Sequence, residues 1–248
     1  MSGGPPQDDD GNAQSFRARR DKARADLDAI DRGSVHDGPE RKAFFNTVYA
    51  RAGGDAAQVP WADLAPKREL LQWLEQNSGI SSSSASGALK TAIDIACGLG
   101  DNAEALAAAG YRTSAFDLSR DAIDWARRRF PDSAVEYRQA DLFDLPTEWR
   151  GAFDLIHECY TLQSMPPEMI DRVARSIAAL AAPGGDLLIY ARWRPDGTAA
   201  DGPPWPLADS QLDVFAPLGF ERVGDLRFEL LRPGGRLVPH AFVHWRKR

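Results

Sequence analysis

Cysteine is scarce in this chain of 248 residues: there are two, Cys97 and Cys159. Two thiols cannot supply the disulfide framework of a small secreted domain, and they are few for a metal site. No metal centre is expected. No apolar run approaches the roughly 20 residues that cross a bilayer. Positive charge is not in excess either, since 30 Lys and Arg stand against 36 Asp and Glu, for a net charge of −6. Without a basic stripe or an aromatic-basic platform, nucleic acid and anionic membranes are not expected partners. The opening MSGGPPQDDDGN is polar and acidic, unlike a signal peptide. These absences together predict a cytoplasmic protein with free thiols.

What is present suits one α/β domain with an N-terminal extension. The hydrophobic fraction of 43% is enough for a substantial core. Residues 1–35 read as a flexible, charged tail with a solvated helix, because Phe16, Leu27 and Ile30 are the only large apolar groups in SFRARRDKARADLDAIDRG. Its removal is expected to change little. Residues 36–89 read as a cap and loop, with Phe44, Phe45, Tyr49, Trp61 and Trp73, a helix in PKRELLQWLEQ, and a serine-rich surface loop in NSGISSSSASGA.

Residues 90–248 then alternate strands and helices. Strands are predicted at Thr91–Ala96, Thr113–Asp117, Ala134–Gln139, Phe153–Glu158 and Asp186–Ala191. Helices are predicted at Asn102–Ala109, Ser119–Arg129 and Pro167–Leu180, with Ser119 as an N-cap. This alternation predicts a parallel sheet covered on both faces. FERVGDLRFEL and HAFVHWRKR, joined by LRPGGRL, predict a terminal antiparallel hairpin.

Chemistry is concentrated in AIDIACGLGDNAEALAAAGYRTSAFDLS, residues 92 to 119. Gly98 and Gly100 follow the first strand, where ligands approach the backbone of an open parallel sheet. Asp117 ends the next strand, a suitable place for a carboxylate that binds ribose hydroxyls. Two nucleoside cofactors fit such a turn. A nicotinamide dinucleotide would use Gly98, Gly100 and Ala103. S-adenosylmethionine is favoured by Asp141 and Leu142 in QADLFDLP, placed to read an adenine, by the Pro-Gly-Gly turn that LAAPGGDLLIYAR places immediately before the fifth strand, and by the antiparallel hairpin.

The segments AIDIACGLGDNAEALAAAGYRTSAFDLSRDAI, QADLFD, FDLIHECYTLQSMPP and PGGDLLIYAR together resemble a class I S-adenosylmethionine-dependent methyltransferase. The resemblance implies a Rossmann-like seven-stranded sheet with an antiparallel terminal strand and helices on both faces. It implies a cofactor site of Asp94, Ala96, Gly98, Gly100, Asp117, Leu118, Asp141 and Leu142, with Glu158 and Trp61 beside it. Many relatives have glycine where this chain has Ala96. DGPPWPLADSQLDVFAPLGFERV and YARAGGDAAQVPWADLAPKREL are similar to segments of the thiopurine, thiol/halide and tellurite methyltransferase group, which implies a small-molecule acceptor with a soft nucleophile such as a thiol.

A thiolate needs little or no general base, whereas a hydroxyl or amine must lose a proton. The candidate base is Glu158, with Tyr160 beside it. His157 should face the other way and fill a buried structural role, since side chains alternate along a strand. Gln163, Arg192 and Trp205 are candidate acceptor contacts, and Arg194 is a further cation beyond the fifth strand. Three functions remain open: methyl transfer to a thiol, methyl transfer to oxygen or nitrogen through Glu158, and nicotinamide-dependent redox chemistry. A non-catalytic partner protein of methyltransferase type is the remaining alternative.

Overall fold

The computed structural model describes residues 9–31, 38–77, 89–200, 202–232 and 235–248. Seven strands form one sheet: β1 (Thr91–Ile95), β2 (Arg112–Asp117), β3 (Glu136–Gln139), β4 (Phe153–Cys159), β5 (Ala181–Arg192), β6 (Phe220–Arg232) and β7 (Arg236–Lys247). Their spatial order is β3-β2-β1-β4-β5-β7-β6. The first five pair in parallel, and β7 runs antiparallel to both β5 and β6. The last strand is therefore inserted beside β5 and leaves β6 at the edge. Burial explains this choice. Ala241, Phe242 and Val243 of β7 are buried in succession, so both faces of that strand are covered, whereas β6 buries little beyond Phe220.

Among the described residues, seven α-helices accompany the sheet: α1 (Asp9–Asp31), α2 (Gly38–Ala52), α3 (Arg68–Gln76), α4 (Asp101–Ala108), α5 (Arg120–Arg129), α6 (Ile170–Ala178) and the short α7 (Asp209–Leu212). Alternating side chains feed two cores. Ile93, Ile95, Ile156, Leu187 and Ile189 pack with Val173 and Ile177 of α6. The intervening Ala92, Leu155, Leu188 and Tyr190 pack with Leu70, Trp73 and Leu74 of α3 and Leu106 of α4.

Three local expectations need correction. The Pro-Gly-Gly segment is not a turn ahead of β5 but an irregular stretch inside it. Phe153 pairs with Ala181, and pairing resumes at Leu155 with Asp186. Gly185 passes so close to β4 that a Cβ there would lie 2.9 Å from the Phe153 carbonyl oxygen. Ser119 stands at the start of α5, but its side chain makes no capping bond; its amide instead donates to Asp117 Oδ1 at 2.9 Å.

The third correction concerns the N-terminal segment. A helix is present there, but it is docked on the loop that follows α2. Arg20 is buried, donates to the Ala62 carbonyl at 3.1 Å and pairs with Asp63. Arg24 donates to the Pro60 carbonyl, and Arg19 meets Asp55 at 2.8 Å. Charged side chains and loop carbonyls make this contact, so a reading based on apolar residues overlooks it. Residues 1–8 and 32–35 of the expected tail, residues 36–37 of the cap, residues 78–88 of the serine-rich loop and residues 233–234 of the hairpin turn lie outside the described residues.

Candidate cofactor and acceptor site

The strand order reverses between β1 and β4, and a cavity of about 650 Å³ opens at the carboxyl ends of the strands there. One end is acidic. Asp94, Asp101, Asp117, Asp141 and Asp144 all line it, together with Ala96, Gly98, Leu118 and Leu142. Asp117 ties two turns together: Oδ2 accepts from the Gly98 amide at 3.0 Å, and Oδ1 from the Ser119 amide. Burial pushes its carboxyl up to about 6, against the pull of those two amides. Asp141 shapes the third strand end in a similar way, with Oδ1 accepting from the Phe143 amide at 3.0 Å.

Ala96 occupies the left-handed region, with φ of 50°, and faces the cavity. That conformation disfavours a side chain, so the backbone is glycine-like although a methyl group is attached. At Gly98, also left-handed, a Cβ would lie 3.2 Å from the Tyr49 hydroxyl. Gly100 has a different reason for being glycine. A Cβ there would lie 2.5 Å from the Tyr137 hydroxyl, and the residue is not part of the cavity wall. Gly100 therefore admits Tyr137 and starts α4, and it stands off the cavity wall.

An aromatic cap from α2 and the following loop closes over the site. Phe44, Phe45, Tyr49 and Trp61 line the cavity, and the Trp61 indole donates to the Tyr49 hydroxyl at 2.8 Å. The acidic end suits a cofactor rich in hydroxyl donors and positive groups, such as the sulfonium and ammonium of S-adenosylmethionine. A pyrophosphate would be repelled by the same carboxylates, which disfavours the dinucleotide alternative.

The other end is basic. Lys67, just before α3, holds its ammonium 4.8 Å from the Tyr160 ring centre and 5.2 Å from that of Tyr190, and it pairs with Asp63. Burial works against its charge, but Tyr160, Cys159 and Asp63 together raise Lys67 above the ordinary lysine value. Burial likewise disfavours the Asp63 charge, but Lys67 and Arg20 outweigh it and hold that carboxyl low. Tyr160 sits at φ of 68°, and its hydroxyl lies 3.0 Å from His240 Nε2. His240 Nδ1 faces the Val238 carbonyl at 2.8 Å, so Nδ1 donates and Nε2 accepts from Tyr160. Burial, with Arg232, Arg192 and Lys67 nearby, pushes His240 down to about 4.

Several expected site residues are elsewhere. Glu158 is fully buried on the α6 side of β4, outside the cavity wall, with Oε1 accepting from the Leu162 amide at 2.8 Å. Burial raises its carboxyl to about 7, but the chain folds back over it, so it braces the loop after β4. His157 is buried too, with Nδ1 2.7 Å from Asp94 Oδ1. Trp205 is not on the cavity wall; its indole lies on Gly202, and the adjoining Pro204 faces the cavity instead. Gln163 lines the cavity and joins two segments, its carboxamide oxygen accepting from the Arg192 amide at 2.5 Å and its carbonyl from the Trp205 amide at 2.7 Å. Arg192 lines the cavity, whereas Arg194 turns to the Pro206 carbonyl at 2.9 Å. Cys97 and Cys159 are free thiols, both on the cavity wall. No metal-binding cluster occurs among the described residues.

Arg24, Asp63, Lys67, Arg232 and His240 were not anticipated. Asp63 and Lys67 lie four residues apart in the cap segment, and the others come from distant segments where no motif marks them.

Residues 92–185 match the family model of a methyltransferase domain. With the sheet order and the antiparallel β7, this makes the fold the Rossmann-like one of the class I S-adenosylmethionine-dependent methyltransferases. Among curated relatives, the ubiquinone biosynthesis O-methyltransferase of Aromatoleum aromaticum is 31% identical over 130 residues, 52% of this chain and 51% of that protein. The chain spans about half the length of the curated relatives it matches. Among solved structures, the 1,6-didemethyltoxoflavin-N1-methyltransferase of Burkholderia thailandensis aligns with a TM-score of 0.63 at 20% identity, covering 86% of this chain and 92% of that one. TehB of Haemophilus influenzae aligns with a TM-score of 0.56 at 16% identity, covering 71% and 62%. Among the described residues no helix is long and apolar enough to cross a membrane.

Proposed function

We propose that this chain transfers a methyl group from S-adenosylmethionine to a small molecule, with a thiol or another readily ionised soft nucleophile as acceptor. The observation that carries this reading is the cavity at the strand ends, acidic at one end and basic at the other, which has the size of a small-molecule site. When bound, the cofactor supplies an electrophilic sulfonium methyl group and its own leaving group. Asp117, Asp141 and the Ala96–Gly98 turn hold and orient it. The aromatic cap excludes water, and the Lys67–Tyr160 corner positions the acceptor.

The proton balance supports the soft nucleophile. Among the described residues at the basic end, none is poised as a strong base. Glu158 is off the cavity, Asp63 is engaged by Lys67 and Arg20, and His240 titrates near 4 among three cations. An acceptor that ionises by itself avoids this difficulty, as a thiol does with its reference pKa near 8.5. The likeness to the thiopurine, thiol/halide and tellurite group is part of this proposal. Methylation of a hydroxyl is the second reading. The Tyr160–His240 hydrogen bond and the O-methyltransferase among the relatives favour it.

A methyl-transfer screen over small thiols, phenols and amines, followed by Tyr160→Phe on the best acceptor, tests both. For a thiol, the rate should rise with pH up to the acceptor's own pKa, and Tyr160→Phe should cost less than about tenfold. A hydroxyl acceptor whose rate falls by about 10²-fold or more in Tyr160→Phe would replace the first reading with the second.

A further inference from the structure

We infer that the acceptor is an organic anion whose carboxylate or phosphate is held between Arg24 of α1 and Arg232 at the end of β6, with Arg192 at the end of β5 beside them. The inference rests on the proposed methyl transfer and adds the charge of its acceptor.

Four of the five cations on the cavity wall, Arg24, Lys67, Arg192 and Arg232, come from four separate segments that the fold gathers at one end, while the fifth, Arg172, lies over the Phe143 ring. The carboxylates near them are already engaged. Asp63 pairs with Lys67 and Arg20, and Asp21 lies 3.3 Å from Arg24 and 3.8 Å from Arg20. Arg232 has no carboxylate partner among the described residues, and its Nε is buried without a hydrogen-bond acceptor. Burial, then the repulsion of Arg232, Arg20 and Arg192, lowers Arg24 to about 10.

Gathering like charges in a partly dry pocket is unfavourable, and so is burying a donor with no acceptor. A bound anion relieves both. The guanidinium fork matches the oxygens of a carboxylate or phosphate, which makes arginine better suited than lysine to this task. Phe44, Phe45 and Trp61 on the same wall suit a flat or apolar body attached to the charge.

The full chain is first saturated with S-adenosylhomocysteine, and calorimetry then compares benzoate, phenyl phosphate and benzamide as probes. Failure to bind S-adenosylhomocysteine would remove the methyltransferase reading itself, and this inference with it. Given that binding, at least one anion should bind ten times more tightly than the neutral amide. Arg232→Gln and Arg24→Gln should each weaken that anion about tenfold while benzamide is unaffected. Arg232→Gln also keeps the test independent of how α1 docks. A preference for benzoate assigns a carboxylate, and a preference for phenyl phosphate assigns a phosphate. Equal binding of anions and amide, absence of anion binding, or anion binding insensitive to both substitutions would overturn the inference and leave the methyltransferase reading in place.

Discussion

The two ends of the cavity are built in opposite ways. The acidic end is nearly continuous in sequence: Asp94 to Leu118 supply most of it, and Asp141 to Asp144 complete it. Backbone amides hold its key carboxylate, as Gly98 and Ser119 do for Asp117. The basic end takes Arg24, Lys67, Tyr160, Arg192 and Arg232 from across more than two hundred residues of chain, and side chains rather than amides hold it. A site on one strand-turn-helix unit inherits its geometry from local backbone. A site assembled from remote side chains depends on every element that carries them.

The sharpest way to break the comparison is at Asp117. Asp117→Ala removes the acceptors for two backbone amides and for the cofactor hydroxyls, so affinity for S-adenosylhomocysteine should fall by about 1.5–3 kcal/mol. Calorimetry reads it, and an unchanged affinity would place the cofactor elsewhere.

Gly100→Ala should act on stability more than on binding. The residue has φ of 93°, and the new methyl would lie 2.5 Å from the Tyr137 hydroxyl. A cost of about 1–3 kcal/mol is expected for such strain, seen as a lower melting temperature. Adding Tyr137→Phe should recover part of the loss. A normal melting temperature with lost cofactor binding would return Gly100 to the cofactor site.

Removing residues 1–31 tests the basic end. Ala62 and Asp63 lose their bonds from Arg20, so stability should drop by about 1–3 kcal/mol and the site should lose Arg24. Cofactor affinity should change less than anion binding. This reverses the expectation that the segment is dispensable, and an unchanged melting temperature would restore it.

Protonation gives a gentler probe. The folded pKa of Asp117, about 6, lies above its ordinary value of 3.8. The free folded protein therefore takes up a proton before the unfolded chain does. This group's contribution to stability falls as pH rises from about 4 to 6 and is level above. Cofactor affinity should move the other way and increase through pH 6, because the ionised carboxylate is the better acceptor. Titrations with S-adenosylhomocysteine from pH 5 to 8 check the sign.

Glu158→Gln should have the smallest effect. The amide oxygen can still accept from Leu162, so the rate should stay within about threefold of the native value, against the 10²-fold or more expected for a lost general base. The raised carboxyl, at about 7, makes native stability fall as pH rises from 4.5 to 7, and the variant should lack that slope.

Sequence by itself determined the parts that local patterns encode. Strand-helix alternation and Gly98 with Asp117 specify a parallel sheet and the acidic end, because hydrophobic period and strand-end turns are properties of neighbouring residues. Tertiary structure decided the rest. Glu158 and Tyr160 are two residues apart, yet the left-handed turn at Tyr160 leaves one beneath the loop and the other on the cavity wall. Gly100 looks like a second cradle glycine until Tyr137, from β3, is seen against it. Arg24 reads as a solvated charge because nothing within its own helix shows that the Pro60 carbonyl will be its partner. Local sequence specifies backbone geometry; which distant side chains share a low-dielectric cavity is set only when the sheet brings its strand ends together and the helices close over them.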